Sequence, residues 1–148
     1  GSLDGTLYAL DKINGEQRWS FSTKNWFWAS PRLEGDLLMA ANLDGKVYAI
    51  DAATGKEAWI FSIGAPITST PVLVDGMLVA GAEDGKMYFI DTDNGNPIRN
   101  VTISSSESPS PIRGPLATQD GIVYTRTQDH FVYAVDISTG AIVWTAPL

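Results

Sequence analysis

The residues able to do chemistry are few in this chain of 148. There is one histidine, His130, and no cysteine. Thiolate metal sites, cysteine nucleophiles and disulfides are therefore excluded. A serine–histidine–aspartate or zinc centre has almost no material to draw on. "DTDNGN", 91–96, resembles a calcium loop, but such loops place glycine at the sixth position and here Gly95 is fifth. The same segment aligns with "DAATGK" and "DISTGA" elsewhere in the chain, so it reads as a turn. His130 stands where other copies of the same sequence have Gly5, Gly45 and Gly85, and it too reads as a turn residue. Asn100-Val101-Thr102 matches the glycosylation acceptor triplet, a pattern common by chance.

"KNWFWASP", 24–31, holds the strongest candidate for binding. It aligns with "GAPITSTP", 64–71, so Trp26, Phe27 and Trp28 replace Pro66, Ile67 and Thr68. Alternation puts Trp26 and Trp28 on one side and Phe27 on the other. Two readings stand: packing against an adjacent unit, or an aromatic platform for a peptide or ligand, since exposed aromatics dominate interface hot spots.

The elements that must position these residues follow from a repeat. "DGTLYALDKINGEQRW" (4–19), "DGKVYAIDAATGKEAW" (44–59), "DGKMYFIDTDNGNPIR" (84–99) and "DHFVYAVDISTGAIVW" (129–144) are near-copies. Asp4, Asp44 and Asp84 are spaced by 40 residues and Asp129 follows by 45. A period of about 40–45 with short strands is the signature of a β-propeller with one four-stranded blade per repeat. The extra residues fall in "SSSESPSPIRG", 104–114, a Ser/Pro-rich stretch that reads as a longer loop. "KVYAID" alternates as a half-buried strand should, and a Thr-Gly or Asn-Gly pair turns the chain after it.

These patterns predict an all-β propeller segment of four-stranded antiparallel blades, about three and a half of a seven- or eight-bladed ring. Residues 1–148 form one partial propeller, with a half blade at 1–22 and blades at 28–62, 68–103 and 112–146. Strands are expected at 28–34, 36–42, 46–51 and 56–62 in the first full blade. The half blade holds only strands 6–11 and 16–22. Its unpaired inner edge and the uncovered face of the last blade favour self-association.

Net charge is −7, which argues against a nucleic-acid surface and against binding anionic lipid through a basic patch. No apolar run approaches the roughly 18 residues of a membrane span, so no direct membrane insertion is expected. The opening "GSLDGTLYAL" has neither the basic start nor the apolar stretch of a signal peptide.

The pattern A-x-D-x-x-T-G-K-x-x-W resembles the tryptophan-docking motif of the pyrroloquinoline-quinone-like propeller repeat family. Ala49, Asp51, Thr54, Gly55, Lys56 and Trp59 match it throughout. Ala9, Asp11, Gly15 and Trp19 match with Asn14 and Glu16 as departures. Ala134, Asp136, Thr139, Gly140 and Trp144 match with Ala141 for Lys. The third copy departs most, with Phe89, Asn94, Asn96 and Arg99 in place of Ala, Thr, Lys and Trp. The resemblance implies that Trp19, Trp59 and Trp144 dock blade to blade, with Gly15, Gly55 and Gly140 leaving room for the ring. Arg99 either weakens one junction or stacks its guanidinium where an indole would lie.

The resemblance further implies a non-catalytic scaffold that presents loops to protein, peptide or ligand partners. Relatives of this look include extracytoplasmic assembly factors of the bacterial envelope and sensor ectodomains, which implies a periplasmic or cell-surface address. The alternative is part of a quinone-dependent dehydrogenase whose site lies in other repeats. The vicinal cysteine pair of such enzymes is absent, no match to their calcium ligands or aspartate base is recognisable, and no cofactor is expected.

Overall fold

The structure is a computed structural model that describes residues 1–103 and 109–148. Residues 104–108 of the loop expected at 104–114 lie outside the described residues. Fourteen strands are described, and they form four separate antiparallel sheets. The first unit has two, β1 (Thr6–Leu10) and β2 (Gln17–Ser22). The next blade has β3 (Arg32–Glu34), β4 (Leu37–Ala41), β5 (Lys46–Asp51) and β6 (Glu57–Ser62). The third unit has β7 (Val72–Val74), β8 (Met77–Gly81), β9 (Lys86–Asp91) and β10 (Pro97–Thr102). The last has β11 (Ala117–Gln119), β12 (Ile122–Arg126), β13 (Phe131–Asp136) and β14 (Ile142–Pro147). Each four-stranded sheet runs in chain order, as a propeller blade does.

The alternation along β5 shows how blades stack. Val47 and Ala49 face the following blade, in one core with Leu78, Ala80 and Tyr88. Tyr48 and Ile50 face the preceding unit, in a core with Leu7 and Phe27. A third core joins Met87 and Phe89 to Val123, Tyr133 and Val135. The middle strands β4, β5, β8 and β9 are thus covered on both faces, and each of these interfaces is made by two successive repeats.

Two tight turns recur in each unit. After β5, the Asp51 Oδ1 accepts the Ala53 and Thr54 backbone N–H groups and the Thr54 hydroxyl. The Gly55 N–H closes the turn onto the Asp51 carbonyl, with Gly55 at φ 73. Asp91 does the same for Asp93 and Asn94, so the calcium-like "DTDNGN" has its carboxylate turned onto its own backbone. Before β5, Asp44 accepts the Lys46 N–H and the Tyr48 hydroxyl. Burial and this acidic partner both push the Tyr48 phenol pKa up, and Tyr88 with Asp84 repeats the arrangement. His130 occupies the corresponding turn at φ 66.

The inner strand is shorter than its sequence suggests: β3 spans Arg32–Glu34, not 28–34. Pro31 lacks an N–H, and the backbone ahead of it bonds sideways to a neighbouring turn instead. The Leu43 N–H donates to the Trp26 carbonyl at 3.0 Å. A bulge not foreseen from sequence also recurs. Trp59 pairs with Ala49 and Glu57 with Ile50, leaving Ala58 as an extra residue. The same slip precedes Trp19, Arg99 and Trp144. A bulge re-aims the residue beside it, and here that residue is the docking side chain.

Candidate functional site

Two sets of residues carry the functional reading: the docking side chains on the outer strands, and the aromatic loop ahead of β3.

The docking geometry is explicit. The Trp19 Nε1–H donates to the Ala52 carbonyl at 2.9 Å, and the Trp59 Nε1–H donates to the Thr92 carbonyl at 3.0 Å. A Cβ added at Gly55 would lie 2.7 Å from Trp19 Cδ2, and one at Gly95 would lie 2.6 Å from Trp59 Cδ2. Each indole therefore lies flat on the turn of the following unit, on a glycine that any side chain would displace. The seat for Trp59 is Gly95, in the most divergent copy of the motif, which its sequence alone did not mark.

Arg99 takes the docking position in the third junction. Its Nη1 donates to the Ser138 carbonyl at 2.5 Å, one residue beyond the carbonyl an indole uses. Its guanidinium carbon lies 5.5 Å from the Phe89 ring centroid. Gly140 meets Val101 and Arg99, at 2.9 and 3.3 Å from a built Cβ. Of the two readings of Arg99, the structure shows the guanidinium in place of the ring. Gly15 and Trp144 differ from the rest. A Cβ at Gly15 would meet nothing within 4 Å. Trp144 is 46% exposed, and its aromatic neighbour among the described residues is Tyr124, at 6.0 Å.

In the loop ahead of β3, Trp26 is 47% exposed and Trp28 is 60% exposed, while Phe27 is buried. Phe27 meets Tyr48 edge-on at 6.2 Å and belongs to the core between the first two units. The triplet thus divides into two exposed rings and one anchor. The loop is held from beneath by Asn42, a fully buried amide. Its Nδ2 donates to the Thr23 hydroxyl at 2.8 Å and to the Asn25 carbonyl at 2.9 Å. The Thr23 hydroxyl in turn shares its one proton between the Gly5 and Asn25 carbonyls, at 3.0 and 2.9 Å, and the Asn25 Oδ1 accepts the Trp26 N–H. Asn42 aligns with Ala82 and Thr127, so the one signal for it in the sequence is a polar residue at a core position.

The same face carries a cavity of about 200 Å³ lined by Arg113, Gly114, Arg126, Thr127, Gln128 and His130. The Gln128 N–H donates to the Pro111 carbonyl in the way Leu43 bonds to Trp26, which places both loops on one side of the propeller. Arg113 is committed to Glu83 of the neighbouring blade by two bonds, at 3.1 and 3.0 Å. That carboxylate holds the Arg113 pKa above its usual value. Among the described residues no three His, Asp or Glu side chains gather as a metal site. Among them, too, no helix is long and apolar enough to cross a membrane.

Stacked four-stranded blades clamped by docked tryptophans define a β-propeller of the tryptophan-docking class. The sequence profile of the family described as outer membrane protein assembly factor BamB matches residues 3–148, and the chain belongs to that family. Among curated proteins no sequence match is found. Many solved structures share the fold, among them three of known length and overlay. BamB from Moraxella catarrhalis overlays with a TM-score of 0.84 at 22% identity, covering 99% of this chain and 48% of its own. The computationally designed Ika8 protein gives 0.82 at 21%, covering 99% and 44%. The quinohemoprotein alcohol dehydrogenase ADHIIG from Pseudomonas putida HK5 gives 0.71 at 20%, covering 80% and 20%. The chain thus spans about half the length of the first two.

Proposed function

We propose that this chain is a non-catalytic propeller scaffold that binds a protein partner through the face carrying Trp26 and Trp28, as part of an extracytoplasmic assembly factor. The observation that carries the reading is the pairing of two exposed indoles with a loop fixed beneath them by Phe27 and Asn42. Exposed aromatics on a rigid support lose little entropy on binding and make strong anchors. Membership of the assembly-factor family supports a protein partner and an envelope address. The dehydrogenase likeness extends to fold alone, because fold does not fix chemistry.

The test is binding of the outer-membrane protein fraction to the immobilised chain. Wild type and the Trp144→Ala variant should retain the same bound proteins, and a Trp26→Ala/Trp28→Ala variant should lose them. Undiminished capture by the double variant would refute the loop face as the binding surface.

A further inference from the structure

We infer that Asn42, with Thr23 and Asn25, is a positioning group that lets an indole stand where the other two loops of this face carry a proline. Its consequence for binding rests on the loop-face reading proposed above; the positioning itself does not.

Three loops lead into the inner strands β3, β7 and β11, and each is tied at the same atom. The Leu43, Glu83 and Gln128 N–H groups donate to the carbonyls of Trp26, Pro66 and Pro111, each at 3.0 Å. Trp26 is thus the member of the three that is not proline. A proline has its φ fixed by the ring and carries no N–H to satisfy. A tryptophan at that place has a free φ and one more donor. The loop that displays the indole therefore needs its order from another source.

That source is a set of three polar side chains. The Asn25 Oδ1 accepts the Trp26 N–H at 2.9 Å, the donor that a proline lacks. Asn42 is fully buried and ties three segments together. Its Nδ2 donates to the Thr23 hydroxyl and the Asn25 carbonyl, and its Oδ1 accepts the Asp44 N–H at 2.8 Å. The next blade does without this set. The Ile63 N–H donates to the Gly45 carbonyl as the Thr23 N–H donates to the Gly5 carbonyl, both at 2.8 Å. The Ala65 carbonyl lies over Gly45 as the Asn25 carbonyl lies over Gly5, at 3.0 and 3.1 Å from a built Cβ. Ala82 accepts the Gly85 N–H as Asn42 accepts the Gly45 N–H, both at 3.2 Å. Ile63, Ala65 and Ala82 pack in one apolar core, in the blade whose loop has Pro66. The blade geometry is therefore reached without a buried amide, and the amide accompanies the missing proline. A satisfied buried network holds one arrangement of the groups it joins, with little net gain in stability over an apolar set. What this one joins is the backbone on either side of Trp26. It sets the direction of the ring and spares the loop from ordering when a partner binds.

Amide hydrogen exchange followed by NMR tests the positioning with no partner present. Asn42→Ala should speed exchange of the Leu43 N–H about 10-fold or more, as a loop bond does once its support is lost. The Glu83 N–H, which makes the same bond to Pro66, should keep its rate. Adding Trp26→Pro to Asn42→Ala should restore slow exchange at Leu43, because the ring then does what the amide did. The variant Thr23→Ile/Asn25→Ala/Asn42→Ala carries the apolar set of the next blade. It should unfold at the wild-type urea concentration and still exchange the Leu43 N–H fast. Unchanged Leu43 exchange in Asn42→Ala, equal acceleration at Glu83, or a proline that fails to restore protection would each overturn the inference. Immobilised, the triple variant should retain several-fold less of the outer-membrane protein fraction than wild type. Undiminished capture by it, where Trp26→Ala/Trp28→Ala loses capture, would overturn the role of the positioning in binding. Undiminished capture by both variants would refute the loop face, while the exchange result would still support the positioning.

Discussion

The five tryptophans divide between two regions, an outer rim and a loop face. On the rim, Trp19 and Trp59 each have a glycine beneath the ring and a carbonyl for the N–H. On the face, Trp26 and Trp28 find neither among the described residues, and stand about half exposed while Phe27 between them is buried. Hydrophobicity does not separate the two groups, since the side chain is the same. What separates them is a seat prepared elsewhere in the chain: an Asp-capped turn, a glycine with left-handed backbone, and a bulge that aims the ring. Trp144 sharpens the point, because it has the bulge, and among the described residues no glycine turn lies beneath its ring.

The comparison can be broken at several places. Trp59→Ala should cost the most, about 3 kcal/mol in urea unfolding, because it empties a junction and strands the Thr92 carbonyl. Trp144→Ala should cost well under half of that, since the ring is 46% exposed. Gly95→Ala comes next, at about 2 kcal/mol, since its Cβ would press to 2.6 Å from the Trp59 ring. Gly76→Ala, with left-handed backbone strain but no ring above it, should cost about 1 kcal/mol. Equal losses for the two glycines would show that the turn matters and the seat does not.

Arg99→Lys should cost about 1 kcal/mol, since an ammonium cannot both stack on Phe89 and keep the in-plane bond to Ser138. The smallest effect is that of acid. Hydrogen bonds from Ser138 and Thr139 hold the Asp136 carboxyl down at about 2, and the Thr54 and Ile13 donors depress Asp51 and Asp11. A carboxylate depressed in the folded state contributes stability above its unfolded pKa of about 3.9. That contribution falls away between about pH 4 and pH 2. Thermal unfolding midpoints of wild type and Asp136→Asn should therefore differ at pH 6 and converge toward pH 2.

Much of this was legible in the residues. The repeat of 40 gave the four-stranded blades, and β5 lies at 46–51 as expected, between the Asp44-Gly45 and Thr54-Gly55 turns. The alternation set Phe27 apart from Trp26 and Trp28 but did not say which side turns inward, and Phe27, expected in the platform, is buried. The partner of each docked ring was not legible, because the motif sets Trp59 beside Gly55 in sequence whereas folding sets it on Gly95. That relation crosses a blade junction, and no local spacing records it. The short β3 escaped for a similar reason: Pro31 lacks an N–H, and ahead of it the Trp26 carbonyl accepts the Leu43 N–H of the turn after β4. Asn42 was a polar letter in an apolar row, and its role emerged once Thr23 and Asn25 were seen to converge on it.

The division of the tryptophans is tested most directly by urea unfolding of Trp59→Ala beside the Trp26→Ala/Trp28→Ala double variant. The double variant should unfold within about 0.5 kcal/mol of wild type, as substitutions at exposed sites do, while Trp59→Ala should lose about 3 kcal/mol. A loss in the double variant as large as that in Trp59→Ala would place the loop tryptophans in the fold's own packing and contradict their assignment as a binding face.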